Sequence, residues 1–311
     1  MGDSGDGGGW WKVTRIVGVA TDTCIYHLEN DPPSVPHPFP SSVWHLSARF
    51  GAIVRDYTPV TTATEWERGH VALLVKTYDD GAASKRFAGL LPANTVASLE
   101  KQPCWLLLTP PRPTLDLRLL AAAAGAERGL RHLCLVVGGT GIAPALQALR
   151  LVADAHGPFG EECKATLLCS SRTPMDVLLV DELREVERSS AGKVTVKHTL
   201  TEFVQGPASL LAVSKQRAGS SARRNFYSLS PWRPLQPRDG PLKSAEGEEA
   251  GLRGRVTPEM LRQVLPPPSE DVHVVVCGPP LMWEDVRMML VGCGFAERAL
   301  SELKALTPEQ C

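Results

Sequence analysis

Gly138-Gly139-Thr140-Gly141-Ile142-Ala143-Pro144 is the first stretch of this chain whose residue types and spacing suggest chemistry. Glycines let a backbone turn sharply and approach a phosphate closely. A helix starting just after them offers unpaired N–H groups and a partial positive charge to that anion. The spacing is G-x-G-x-x-P, with Pro144 where a dinucleotide-binding turn usually has Gly or Ala. Taken alone, the same spacing also suits a plain tight turn. A second stretch, Cys277-Gly278-Pro279-Pro280-Leu281-Met282, closes an apolar run. Its Gly-Pro-Pro forces a turn that leaves room for a flat ligand at a strand end. Read by itself, Cys277 is equally a buried, inert thiol. A third stretch is Arg55-Asp56-Tyr57-Thr58-Pro59. On an extended strand Arg55 and Tyr57 share one face and Asp56 takes the other. An Arg can fork onto a pyrophosphate, a Tyr ring can pack on a flat aromatic ligand, and Thr58 can hydrogen-bond a ring nitrogen. A fourth is Val75-Lys76-Thr77-Tyr78, followed by Gly81-Ala82-Ala83-Ser84, where a short helix could open toward a phosphate or simply be capped.

These stretches need elements to hold them. From Lys12 to about Leu117 short apolar runs recur at Val13–Ala20, Val43–Ala48, Ala52–Val54, Val71–Tyr78 and Trp105–Thr109, separated by Pro and Gly clusters such as Pro32–Pro40. That spacing predicts a barrel or sandwich. Residues 117–131, LRLLAAAAGAERGLR, mix helix formers with Gly125 and Gly129 and read as a connection. Beyond it, strands and helices alternate: strand Leu133–Val137, helix Pro144–His156, strand Ala165–Cys169, helix Asp176–Glu187, strand Val194–Leu200, helix Pro258–Val264, strand Val272–Cys277 and helix Pro280–Val291. Such alternation implies a parallel, doubly wound sheet. Thr257-Pro258-Glu259 is a strong helix start. Residues 205–255 break the rhythm: Pro, Gly and Ser accumulate, with nine Lys or Arg against four Asp or Glu. They read as an insertion, either functional or a solvated loop. The expected organisation is therefore a disordered start (1–9), a β-barrel domain (10–116), a linker (117–131) and an α/β doubly wound parallel-sheet nucleotide-binding domain (132–311) carrying the insertion 205–255.

Composition narrows the function. The 311 residues suit two domains with real cores. Lys and Arg (33) nearly balance Asp and Glu (34), which argues against a nucleic-acid binder. No apolar run approaches the roughly 18 residues of a membrane-spanning helix. The opening Met1–Asp6 lacks an apolar signal core, and Asp6 stands where myristoylation wants Ser or Thr. Eight cysteines with no C-x-x-C pair, and no zinc-type cluster, predict a reduced cytoplasmic chain without a structural metal.

Taken in order, these motifs resemble the flavoprotein reductases of the ferredoxin–NADP reductase superfamily, and within it the NADH–cytochrome b5 reductases. The resemblance rests on VWHLSARF, VRDYTPVT, VALLVKTY, GAAS, GGTGIAPALQAL, SSRTPMDVLLVDELREV, GRVTPEMLRQVLP and VVVCGPPLMWEDV, spread over most of residues 12–295. It implies a FAD-binding barrel followed by an NAD(P)-binding domain. It implies hydride transfer from NADH or NADPH to FAD, then single electrons to a haem protein such as cytochrome b5, because a flavin can accept a pair and release it singly. Arg55 would then bind the FAD pyrophosphate, Tyr57 would pack on the isoalloxazine, and Thr58 would hydrogen-bond near N5. Val75, Lys76 and Tyr78 would line the flavin, with Lys76 attracting the nicotinamide cofactor by charge. Gly81, Ala83 and Ser84 would hold the FAD phosphates. Gly139, Thr140 and Gly141 would meet the nicotinamide cofactor, and Cys277, Gly278, Pro279 and Met282 would border the nicotinamide. Thr58, Lys76 and Cys277 would stand nearest the reaction.

The chain also departs from the family. Ala143 replaces a Thr. Thr201 follows Leu200 where NADH-preferring members carry Asp, and a carboxylate there would accept a ribose hydroxyl and repel a 2′-phosphate, so NADH and NADPH both stay open. The C-terminal ALSELKALTPEQC reads as helical where the family has an aromatic strand. With no haem segment of its own, the chain needs a separate acceptor. The basic insertion could steer an acidic haem protein, and such a partner could bring the chain to a membrane surface. Two other readings stand beside this one: an NADPH-dependent reductase of the same superfamily with an iron–sulfur or quinone acceptor, and a non-catalytic binding module.

Overall fold

The structure is a computed structural model and describes residues 8–30, 38–92, 104–115, 129–155, 157–159, 161–202 and 252–303. Alternating apolar residues make the strands of the first domain: β1 (Gly9–Ala20), β2 (Thr23–Asn30), β3 (Val43–Phe50), β4 (Ile53–Tyr57), β5 (His70–Lys76), β6 (Trp105–Leu108) and β7 (Arg112–Leu115). They pair in the order β4-β3-β6-β1-β2-β5, with β7 on β3. A bridge from Pro59 to Leu73 brings the chain after β4 against β5, so the two ends of the sheet meet. Inside are Trp11, Trp44 and Trp66, with Trp11 and Trp66 stacked at 6.0 Å and Trp44 edge-on to Trp66 at 5.2 Å. Trp66 is carried by α1 (Ala63–Glu67), which a reciprocal cap between Thr62 and Glu65 starts. A second short helix, α2 (Ala82–Ala88), drops Phe87 into the same core.

The second domain is a six-stranded, wholly parallel sheet: β8 (His132–Gly138), β9 (Lys164–Ser171), β10 (Val194–Leu200), β11 (Leu252–Arg253), β12 (Val272–Cys277) and β13 (Leu300–Glu302). Its order is β11-β10-β9-β8-β12-β13. Period-two alternation divides its side chains between two cores. Leu133, Leu135 and Val137 face α3 (Ile142–Ala153) and α4 (Val180–Ser189). Cys134 and Val136 face α5 (Pro258–Val264) and α6 (Met282–Gly292). The α3 side does not stop at the domain boundary, because Ile25, Val43, Val60, Ala72 and Leu74 of the barrel belong to the same buried cluster.

Several sequence boundaries move. Gly9, read as disordered, pairs with Leu108 in the barrel. The first helix of the second domain begins at Ile142 rather than Pro144, since Gly139–Gly141 already forms a helical turn, and it ends at Ala153. The helix expected from Asp176 is split, because Leu179 adopts a left-handed conformation (φ 55°) and α4 starts after it. Leu130 is buried and Arg131 donates to the Asp271 carbonyl, so the end of the expected linker belongs to the second domain. The insertion, read as running to 255, ends earlier: Leu252–Arg253 pairs in parallel with Thr199–Leu200 and Val256 is buried. Residues 203–251 lie outside the described residues, as do 1–7 and 116–128. Part of the C-terminus read as helical is instead β13, held to β12 by parallel pairing at Val274, Val275 and Val276.

Candidate functional site

The chain winds β8, β9, β10 and β11 outward in one direction, then returns to lay β12 and β13 on the other side of β8. Neighbouring strands β8 and β12 therefore send their carboxyl-end loops apart and leave a crevice between them, the place where open α/β sheets bind ligands. Val137 and Cys277 sit in register at that point. The glycines there fill a tight join. A side chain on Gly141 would overlap the Cys277 carbonyl, and one on Gly278 would overlap the Met282 sulfur. A Cβ on Gly138 would stand 3.0 Å from Met282 Sδ and 3.2 Å from Pro279 Cδ. Gly139 is different. Its φ is +56° and nothing lies within 4 Å of where a Cβ would be, so its backbone faces open space. Thr140 is half-buried beside it.

The barrel supplies the opposite wall. The Pro59–Leu73 bridge, with the Val60 N–H donating to the Ala72 carbonyl at 2.8 Å, carries the β4 end alongside β5. Arg55, Tyr57 and Thr58 thus come beside Val75 and Lys76. The Gly139–Gly141 turn itself lies within 8 Å, Cα to Cα, of β5. Tyr57 is only 8% exposed and packs edge-on to Phe87 at 4.9 Å, so its ring is more enclosed by the barrel than a freely offered packing face would be. Val75 is buried in the same core. Thr58 is half-buried. Lys76 ion-pairs with Asp22 at 3.3 Å and lies 6.0 Å from the Tyr78 ring centre. That pairing offsets part of the charge expected to attract a nucleotide. Gly81 caps α2, as its sequence suggested. Ala83 is buried, and the buried Ser84 hydroxyl accepts the Tyr78 N–H at 3.2 Å.

Cys277 is 4% exposed, and burial, with Glu302 nearby, pushes its thiol up to about 12. Burial thus favours the neutral S–H over the thiolate. Gly278 and Met282 are half-buried, while Pro279, Pro280 and Leu281 are exposed at the rim, Leu281 at 77%. Thr201 stands apart. It directly follows β10, two strands from β8, where its N–H donates to the Ser171 carbonyl at 2.9 Å. Two strand spacings, about 10 Å, separate it from the glycine turn, a span suited to the far end of a dinucleotide. The residues Gln147 and Arg150, absent from the sequence reading of the site, join its two walls.

Residues 11–100 match the oxidoreductase FAD-binding domain family, and residues 135–226 and 233–288 match the oxidoreductase NAD-binding domain family. The chain is a cytochrome b5 reductase-like flavoprotein of the ferredoxin–NADP reductase superfamily. Among its relatives, NADH-cytochrome b5 reductase 2 of Danio rerio is 28% identical over 252 residues, 77% of this chain and 65% of that one. Nitrate reductase [NADPH] of Emericella nidulans is 27% identical over 307 residues, 94% of this chain. The flavoprotein chain thus spans 29% of the nitrate reductase and somewhat under two thirds of the fish reductase. Its fold is that of the cytochrome b5 reductase domain of Ulva prolifera nitrate reductase, with a TM-score of 0.62, 16% identity and coverage of 95% of this chain and 97% of that one. It is also that of the FAD- and heme-bound flavohemoglobin from Malassezia yamatoensis, with a TM-score of 0.63, 16% identity and coverage of 96% and 60%.

The residues present fit both groups. Gly139 offers bare backbone to the crevice, Gly141 and Gly278 let the two loops close on each other, and the half-buried Arg55, whose Nη1 donates to the Val54 carbonyl at 2.7 Å, stands on β4 of the facing wall.

Proposed function

We propose that this flavoprotein passes a hydride from NADH or NADPH to FAD and then single electrons to a haem protein of the cytochrome b5 type. The observation that carries the reading is the convergence of β4 and β5 with the Gly139–Gly141 turn and the Cys277–Met282 loop on one crevice. Bound FAD supplies the ability to take two electrons together and release them one at a time. The chain's own residues supply alignment. Arg55 would bind the FAD pyrophosphate, while the buried Gly81, Ala83 and Ser84 would shape the start of α2 beside it rather than touch a phosphate. Tyr78 would line the flavin, Tyr57 and Val75 would support it from the barrel core, and Thr58 would hydrogen-bond the ring. Gly139 and Thr140 would hold the nicotinamide cofactor, Gly141 would let their turn close on Cys277, and Gly278, Pro279 and Met282 would border the nicotinamide. The neutral Cys277 thiol packs there without ionising. Lys76, shared with Asp22, tunes the local charge, and Thr201 meets the adenosine end.

Among the described residues no helix is long and apolar enough to cross a membrane. The free cysteines among the described residues suit a reducing cytoplasm, and a haem-protein acceptor could bring the chain to a membrane surface. The deciding experiment is an absorbance spectrum of the purified protein before and after anaerobic NADH or NADPH. A yellow protein bleached by either nucleotide is expected, and Arg55→Ala should come off the column without FAD. A colourless protein that takes up no added flavin would end the proposal, and a yellow one bleached by neither nucleotide would favour a non-catalytic module.

A further inference from the structure

Gln147 and Arg150 lie on α3, which starts at the glycine turn, yet both reach across to the barrel. Gln147 is 4% exposed. Its Oε1 accepts the Trp44 N–H of β3 at 2.9 Å, and its Nε2 donates to the Pro59 carbonyl at 2.8 Å. One turn on, Arg150 Nη1 donates to the Val60 carbonyl at 2.7 Å and to the Thr61 carbonyl at 3.1 Å. All four bonds run from a side chain of one domain to the backbone of the other. Three of the four end on residues 59–61, directly after Tyr57 and Thr58.

A join between domains can be sealed by apolar side chains alone, and much of this one is: Val43, Val60, Ala72 and Leu74 pack with Leu146 and Leu149 in a single cluster. Apolar contact is non-directional and tolerates sliding. Directed bonds do not, because a hydrogen bond weakens steeply once its angle closes. Burying an amide and a guanidinium costs desolvation that apolar residues would avoid. Burial pulls the Arg150 guanidinium below its usual range, with Glu65 and Glu182 opposing. What the polar groups add is register between α3 and the β4–β5 wall.

We propose that Gln147 and Arg150 are positioning residues that hold the glycine turn at a set distance and angle from the Tyr57–Thr58 segment, so that the nicotinamide and the flavin meet in reacting geometry. The inference rests on the reading of the crevice as the joint FAD and nicotinamide site. Neither residue touches either ligand, and both act through the backbone of residues 59–61 and α3.

The test uses the full flavin-loaded chain with Gln147→Met, Arg150→Met and Arg150→Lys. Gln147→Met keeps the volume and removes both bonds, whereas Arg150→Lys keeps a donor to the two carbonyls. Flavin content should match the wild type in all three. Anaerobic hydride transfer should slow about 10- to 100-fold in the two Met variants, as expected for a misplacement of the order of 1 Å. Nucleotide dissociation constants should change little, and Arg150→Lys should recover most of the rate. Independently of turnover, amide exchange at Trp44 should quicken in Gln147→Met while Ala48, on the same strand, stays protected. Wild-type rates in both Met variants with flavin retained would overturn the proposal. So would loss of flavin in step with loss of rate, which would make these residues part of barrel folding. If Gln147→Met does not fold, the Arg150→Met and Arg150→Lys comparison decides: equal rates in the two overturn the proposal, and recovery only in Lys supports it. A wild type that neither nucleotide reduces would instead fail the functional reading.

Discussion

Gly141 has no room for a single methyl group, because the Cys277 carbonyl occupies that place. We expect Gly141→Ala to drive the two loops apart and to slow reduction by nucleotide at least about tenfold with flavin retained, read by anaerobic stopped-flow absorbance. An unchanged rate would show that the loops can part freely. Cys277 gives a second residue-level prediction. Its thiol, raised to about 12 by burial, should resist iodoacetamide at pH 8 in the native protein and react only after unfolding. Rapid native labelling at Cys277, read by peptide mass, would contradict the buried environment. Gly139, Gly141 and Cys277 could be placed at strand ends from the sequence because Gly or Pro marks each of them, and Arg55 could be placed inside the strand that Pro59 closes. Gln147 and Arg150 were not. A Gln and an Arg on an otherwise apolar helix give no sign of the backbone they reach, which is 103 and 90 residues away in the chain.

Elements were legible where local signals agreed. Thr257 accepts the Met260 N–H and Pro258 occupies the first turn, as the sequence implied. Strands Val194–Leu200 and Val272–Cys277 have the expected bounds because each is an apolar or alternating run between turn residues. The helix α1 was missed although Thr62-Ala63-Thr64-Glu65 spells its cap, since five residues give too few turns for periodicity to register. That cap makes the element-level prediction. Glu65 Oε2 accepts the Thr62 N–H at 2.7 Å while Thr62 Oγ1 accepts the Glu65 N–H at 3.3 Å. Thr62→Ala should cost about 1 kcal/mol of stability by urea unfolding. A loss near zero would mean that Trp66 alone holds the helix in place. The strand β2 was also missed. TCIYHLEN carries a His and a Glu that weaken its apolar signal, and only its neighbours β1 and β5 stabilise it.

For the molecule as a whole, stability should depend on pH through buried histidines. His273, on β12 between β8 and the edge strand β13, is 1% exposed, its Nε2 meeting Ser301 Oγ at 2.9 Å. Burial lowers its pKa from 6.5 to about 4. The unfolded chain therefore takes up a proton below about 6.5 that the folded chain refuses until about 4. The contribution is complete above pH 6.5 and is lost as pH falls toward 4, about 3 kcal/mol for a shift of this size. Burial also lowers His45, His132 and His198, and acts in the same direction. The urea midpoint should fall across this window, and less so in His273→Gln; parallel profiles for the two proteins would refute the assignment. The proposed transfer of electrons to an acidic haem protein is tested at this scale too. If the basic segment steers it, the second-order rate should drop steeply with salt, and deleting residues 210–250 should flatten that dependence. A salt-independent rate in the full chain would remove the steering.

By itself, the sequence determined that a barrel precedes a parallel nucleotide-binding sheet, and which strand ends carry glycines, because alternation, caps and turn residues are local properties of a few consecutive positions. Only the tertiary structure decided that those strand ends face one another. Which loops share a crevice depends on the reversal of strand order at β8 and on the chain after β4 folding back onto β5. The alignment of the two walls depends on four bonds between residues far apart in the chain. Long-range pairing leaves no periodicity to read, since its energy comes from a neighbour that only the completed fold supplies.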